Sequence, residues 1–250
     1  MNFINLLKKL IIKSQLYVSI CATLLGIFVL NEQESYQTWV TIILFLTFWN
    51  GYLFTVFHKK KDALLGSLVG FILITFLIIY FLNFTFYFKW LIILVLGLLY
   101  NADFFNINVR EFSLIKTFYV GFTWATTLVF LPFQQFHWAW FSIIFLFVSG
   151  ITFPFEIRDM EKDPFPTLPK VIGIRNTKIL SVVFLTGSAI MAYFYLNTAY
   201  TSTWTISMCI SILLVIFSGR KRSIEYYSFF MESLSALPII VYFILNLKNK

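Results

Sequence analysis

Nine apolar stretches, each about 15 to 20 residues long, follow one another along this 250-residue chain and leave little sequence between them. They run approximately over 16–30, 39–57, 63–82, 86–100, 113–131, 137–154, 179–196, 203–218 and 227–246. Crossing the hydrocarbon core of a bilayer takes about 20 helical residues, and inside it each backbone N–H and C=O must be satisfied within its own segment. Blocks of this length therefore predict an all-α polytopic membrane protein with about nine transmembrane helices. A mean hydropathy of +0.84 and a charged fraction of 12% exclude an ordinary soluble domain. No stretch large enough for a second domain remains, so residues 1–250 are read as one transmembrane domain.

The charges orient it. The chain carries 19 Lys and Arg. Lys8, Lys9 and Lys13 precede the first block; Lys59, Lys60 and Lys61 follow the second; Arg110 and Lys116 follow the fourth. Arg158, Lys162, Lys170, Arg175 and Lys178 follow the sixth, and Arg220, Lys221 and Arg222 the eighth. Lys89, Lys248 and Lys250 lie on the other side. Positive loops stay cytoplasmic, so the N-terminus is expected inside and the C-terminus outside. Trp39, Trp90, Trp138, Trp140 and Trp204 fall near the expected outer ends, where an indole prefers the headgroup region. The net charge of +8 thus reflects topology, and no nucleic-acid partner is expected. Residues 1–15 set Lys8, Lys9 and Lys13 beside Ile4, Leu7, Leu10 and Ile11, the pattern of a short interfacial helix. Asn31 and Glu32, rather than a small-residue cleavage site, follow Leu30, so the first span is expected to be retained. Cys21 and Cys209, each inside a span, read as small packing residues.

One stretch departs from the apolar background. Glu156, Arg158, Asp159, Glu161, Lys162 and Asp163 crowd into the sequence between Phe155 and Pro164. Glu156, Asp159 and Asp163 stand at i, i+3 and i+7, within about 60° of arc on a helix. Pro164, Pro166 and Pro169 are expected to end that helix. Converging hard oxygen ligands at a membrane surface suit a divalent cation and a phosphate. Other polar residues gather on the same side. Asn50 sits about two turns inside the second span, ahead of His58 and Lys59 to Lys61, lysines that could anchor the span or bind an anion. Asp103, Arg110, Glu111 and Lys116 follow Tyr100. Lys116 could snorkel to the interface or point into a cavity. Trp124 could pack or stabilise a cation. Glu232 could pair with Arg220 to Arg222 or face a cavity.

The segment Asp159, Asp163, Thr167, Leu168, Pro169 and Gly173, reading D-x-x-x-D then T-L-P-x-x-x-G, resembles the UbiA superfamily of intramembrane prenyltransferases. Tyr100 closing the fourth span, and Lys116 opening the fifth ahead of Trp124–Ala125, fit the same pattern. The resemblance covers the whole chain in topology but few residues in motif. It implies helices around a central cytoplasm-facing cavity, and transfer of an isoprenoid group from a prenyl diphosphate to a lipophilic acceptor. It implies Mg²⁺ held by Glu156, Asp159 and Asp163. Asp159, Asp163 and Lys116 take the catalytic roles, and Asn50, His58, Lys59, Tyr100, Arg110 and Arg158 contact substrate. The sequence also departs from the family. Aligned on Asn50, the aspartates of a first acidic motif are replaced by Gly51, Phe54 and His58, with Asp62 nearby. Glu156 replaces the leading aspartate of the second, and Pro164 and Pro166 stand where glycine is usual. Half of the metal site therefore cannot be built in the family's way. The alternatives are a catalytically inactive protein of the same fold that binds a lipid or prenyl phosphate, and a small transporter, against which stands the lack of an inverted repeat.

Overall fold

A computed structural model describes residues 14–57, 59–100, 115–161 and 167–247. The interfacial helix expected over 1–15 falls almost wholly outside them, as do His58, Asp103, Arg110, Glu111, Lys162 and Asp163. The described residues form helices and turns, with no strand. In chain order the helices are α1 (Leu16–Glu32), α2 (Thr38–Phe57), α3 (Lys61–Phe81), α4 (Phe84–Leu99) and α5 (Lys116–Ala125), the last continued by a π-helical turn, Thr126–Phe130. There follow α6 (Trp138–Asp159), the short α7 (Leu168–Ile172), α8 (Ile174–Tyr195), α9 (Thr198–Phe217), a second π segment, Tyr226–Met231, and α10 (Leu237–Leu247). Helices α2, α3, α6, α8 and α9 are long and apolar enough to cross a membrane, and α1, α4 and α10 are shorter apolar helices. The chain therefore reads as an integral membrane protein.

Neighbours in sequence are neighbours in space. α1 packs on α2, α2 on α3, α5 on α6, α6 on α8, α8 on α9, and α9 on α10, which returns to α1. α4 bridges α2, α3 and α5. Local chemistry sets several boundaries. Asn83 caps α4 by accepting from the Phe86 N–H at 2.8 Å. Gly173, at φ 83°, turns α7 into α8, a conformation that side chains bearing Cβ rarely adopt.

The acidic stretch is not a separate helix. α6 runs unbroken from Trp138 to Asp159, with Pro154 inside it and Glu156 to Asp159 as its last turn. It ends ahead of Pro164 and Pro166, and Pro169 lies in the first turn of α7. Proline 154 has no N–H to give the carbonyl four residues back, which is that of Gly150. The Ser181 hydroxyl of α8 donates to that carbonyl at 2.5 Å. One helix thus repairs the other, and α6 can continue through a residue that would end it alone. Seven residues on, Ser188 Oγ donates to the Ile143 carbonyl at 2.9 Å, so the α6–α8 seam is bonded at two levels.

Three tryptophans placed in the headgroup region by their sequence position are core residues instead. Trp90, Trp140 and Trp204 are fully buried; their indole N–H groups reach Thr47 Oγ1 at 3.1 Å, Glu32 Oε2 at 2.8 Å and Ser188 Oγ at 3.1 Å. Trp39 and Trp138 remain exposed. Proximity to a helix end cannot say which face of the helix a ring occupies, and internal partners for the N–H decide it here. Cys21 is buried as expected, whereas Cys209 faces outward from α9.

Candidate functional site

Lys116, Val120, Thr123 and Thr127 recur at steps of four, three and four, so they form one stripe along α5 and its π continuation. Val120, Thr123 and Thr127 line a cavity of about 170 Å³ between α2, α4 and α5. The rest of the lining is mostly aromatic: Phe48 and Tyr52 from α2, Trp90 and Tyr100 from the α4 side, Tyr119 and Trp124 from α5. Their rings interlock, Phe48 against Trp124 at 5.0 Å, Tyr52 edge-on to Trp124 at 6.5 Å and Tyr100 stacked on Tyr119 at 6.0 Å. Tyr119 Oη donates to the Leu96 carbonyl at 2.6 Å and ties α5 to α4. Gly51 and Gly97 in the wall leave space where a side chain would stand.

Lys116 continues this stripe one turn beyond Val120. It neither snorkels nor stands alone: its ammonium meets Glu156 Oε2 at 3.0 Å, with both side chains 8% exposed. A buried pair of this kind leaves little net charge, while removing either member strands the other. Arg158, on the same last turn of α6, grips Asp159 through two bonds, Nε to Oδ1 at 2.8 Å and Nη2 to Oδ2 at 2.6 Å. Its guanidinium also lies over the rings of Phe155, at 5.1 Å, and Tyr227, at 5.5 Å.

The candidate residues therefore divide. Tyr100, Lys116, Glu156, Arg158 and Asp159 gather at the polar end of the bundle, and of these Tyr100 lines the cavity. The Asn50 amide donates to the Ser67 carbonyl of α3 at 2.9 Å. Gly70 admits it, since a Cβ there would lie 2.6 Å from Asn50 Oδ1. Lys59 is exposed, and the Lys60 ammonium stands over the Phe57 ring at 5.5 Å. His58, Arg110 and Asp163 lie outside the described residues. No three His, Cys, Asp or Glu side chains converge as metal ligands among the described residues. Glu156 and Asp159 each already face a protein cation, so these two carboxylates do not by themselves make a Mg²⁺ site.

The cavity-lining Thr47, Tyr52, Tyr119, Thr123 and Thr127 were not singled out from the sequence. Their signal was present, as hydroxyl-bearing residues at helical spacing inside apolar spans. Among the described residues no ion pair joins Glu232 to Arg220, Lys221 or Arg222. Arg220 reaches Glu161 at 3.4 Å and Arg222 Nε donates to the Phe217 carbonyl at 2.8 Å.

No protein-family model, curated protein or solved structure matches the chain.

Proposed function

We propose that this chain is a UbiA-like intramembrane protein that takes the isoprenoid chain of a prenyl diphosphate into its aromatic cavity and transfers it to a lipophilic acceptor. The observation that carries the reading is the α5 stripe, which joins an apolar, aromatic-walled cavity to a lysine at the basic end of the bundle. In this reading all nine apolar segments cross the inner membrane, the basic end faces the cytoplasm, and the chain ends outside. The hydrocarbon lies among Tyr52, Tyr100, Tyr119 and Trp124, and the diphosphate stays at the polar end, toward Lys116 and Arg158.

Transfer requires the allylic C–O bond to break with its electron pair leaving on the diphosphate. The acceptor then forms the new bond to that carbon and gives up a proton. Aromatic faces attract a carbon that becomes positive, and walls without water protect it from hydrolysis. A Mg²⁺ ion would offset charge on the leaving group, but the described residues do not assemble its ligands, and no step here depends on one.

A second reading has its own support. Both described carboxylates of the acidic turn are already engaged by Lys116 and Arg158, which favours a protein that binds a prenyl or lipid phosphate without turnover. Full-length protein in nanodiscs, offered labelled prenyl diphosphates of several chain lengths with and without Mg²⁺ and a panel of lipophilic acceptors, separates the two. Labelled product supports transfer. Saturable binding without product supports the second reading. Absence of binding at every chain length overturns both.

A further inference from the structure

The last four carbonyls of a helix have no donor within it. At the end of α9 each of them is met from outside. Tyr226 Oη donates to the Leu214 carbonyl. The Val215 carbonyl accepts from Ser218, from its N–H at 3.1 Å and its hydroxyl at 2.7 Å. Lys178 Nζ reaches across from α8 to the Ile216 carbonyl at 2.8 Å, and Arg222 Nε turns back to the Phe217 carbonyl at 2.8 Å. The Arg222 guanidinium also lies over the Tyr226 ring at 5.6 Å. Cations from distant parts of the chain are therefore held on adjacent carbonyls of one helix end.

Capping does not use up the charge they bring. A helix C-terminus carries about half a negative charge, which one basic side chain more than offsets. Among the described residues no carboxylate pairs with Lys178 or Arg222, and Glu161 takes Arg220 instead. An ammonium has three N–H groups and a guanidinium five, and each gives one to the helix. The others remain available to an acceptor. The surroundings are apolar and open: Ile179 of α8, Ile216 and Phe217 of α9, and Ile224 beyond it are each more than half exposed. In a chain that spans a bilayer, acyl chains cover such side chains, and basic residues at the ends of spans lie at headgroup depth.

We propose that the end of α9 binds an anionic phospholipid, with the phosphate held between Lys178 and Arg222 and the acyl chains along Ile179, Ile216 and Phe217. Charge complementarity selects the headgroup, because one phosphate stabilises both cations, which otherwise repel each other. The exposed apolar side chains beside them select a lipid over a free phosphate. A lipid bound here also ties the basic end of α8 to the loop that follows α9. The inference is independent of what the aromatic cavity holds.

The test uses full-length protein in a neutral detergent, with bound lipid counted by native mass spectrometry. Dioleoylphosphatidylglycerol, dioleoylphosphatidylcholine and inorganic phosphate are titrated separately. Wild type is expected to bind the anionic lipid about tenfold more tightly than the zwitterionic one, or better. Lys178→Gln and Arg222→Gln each remove the charge and leave a donor on the side chain. Each should weaken binding of the anionic lipid by about fivefold, and the double variant by roughly thirtyfold, with the zwitterionic lipid unchanged. Lys178→Arg should retain binding. Lys221→Gln removes a charge from the same loop outside the site and should change affinity by less than about twofold. If the double variant does not fold, salt takes its place: raising ionic strength from about 0.05 to about 0.5 M should weaken binding of the anionic lipid to wild type and spare the zwitterionic one. Equal binding of the two lipids, a preference that salt does not weaken, or an equal loss in Lys221→Gln overturns the inference. Inorganic phosphate that binds as tightly as the anionic lipid also overturns it, because the site would then recognise the anion alone.

Discussion

The repair of α6 by α8 can be measured as a coupling. Pro154 leaves the Gly150 carbonyl without its helical donor, and Ser181 Oγ fills the gap at 2.5 Å in a fully buried position. Ser181→Ala removes little volume and strands a buried acceptor, so it should destabilise the protein by about 1–3 kcal/mol. In a Pro154→Ala background the residue at 154 has an N–H that can bond to Gly150 in the ordinary helical manner. There Ser181→Ala should cost only about 0.5 kcal/mol, close to the lower bound for a hydrogen bond with an alternative partner. The coupling energy is therefore expected at about 1–2 kcal/mol, within the range measured for residues sharing one network. Equilibrium unfolding of the four proteins in mixed micelles, followed by tryptophan fluorescence, gives the cycle. Equal costs for Ser181→Ala in both backgrounds would refute the argument, since the hydroxyl would then not be substituting for the missing N–H.

Four other outcomes follow from the same structure. Glu156→Gln should destabilise by about 3–5 kcal/mol because it strands Lys116 in a site 8% exposed, and a Lys116→Met, Glu156→Leu double variant should recover most of that; additive costs in the same unfolding assay would contradict the buried pair. Trp140→Phe should cost about 1–3 kcal/mol by taking a 2.8 Å donor from the buried Glu32 carboxylate, which also accepts from Gln33 and from Asn197 at 3.3 Å; Glu32→Gln in the Trp140→Phe background should restore part of it. Gly70→Ala should displace the Asn50 amide from Ser67 and loosen α2 from α3, at about 1–3 kcal/mol, read as lower thermal stability; an unchanged melting temperature would mean that Asn50 moves freely. Cysteines introduced at Lys60 and Trp138 should react with a membrane-impermeant maleimide from opposite faces of inverted vesicles, and labelling of both from one face would overturn the proposed orientation.

Much of the architecture was legible in the sequence because it follows from one solvent constraint. Long apolar blocks in lipid must be helices, so their order could be read directly, but the block over 227–246 is a π segment, Tyr226–Met231, then a turn and α10, Leu237–Leu247, rather than one helix. The gathering of Tyr100, Lys116, Glu156 and Arg158 toward one end follows from loop parity, which alternates with each helix. Spacing also placed Glu156 and Asp159 on the same turn.

The tertiary structure decided which partner each polar group meets. Sequence spacing places a side chain on its own helix, but the facing residue comes from packing. Thus Lys116 joins Glu156 across α5 and α6, Asp159 is taken by its neighbour Arg158, and Asn50 closes on Ser67. Trp90, Trp140 and Trp204 turn inward to internal acceptors, and α6 passes through Pro154 because Ser181 stands opposite. The aromatic cavity belongs to the same class of outcome: α2, α4 and α5 create it together, and no one of their sequences encodes it alone. In a bilayer an unsatisfied polar group is costly wherever it lies, so the sequence sets which groups need partners, and the packing of the helices determines which partners they meet.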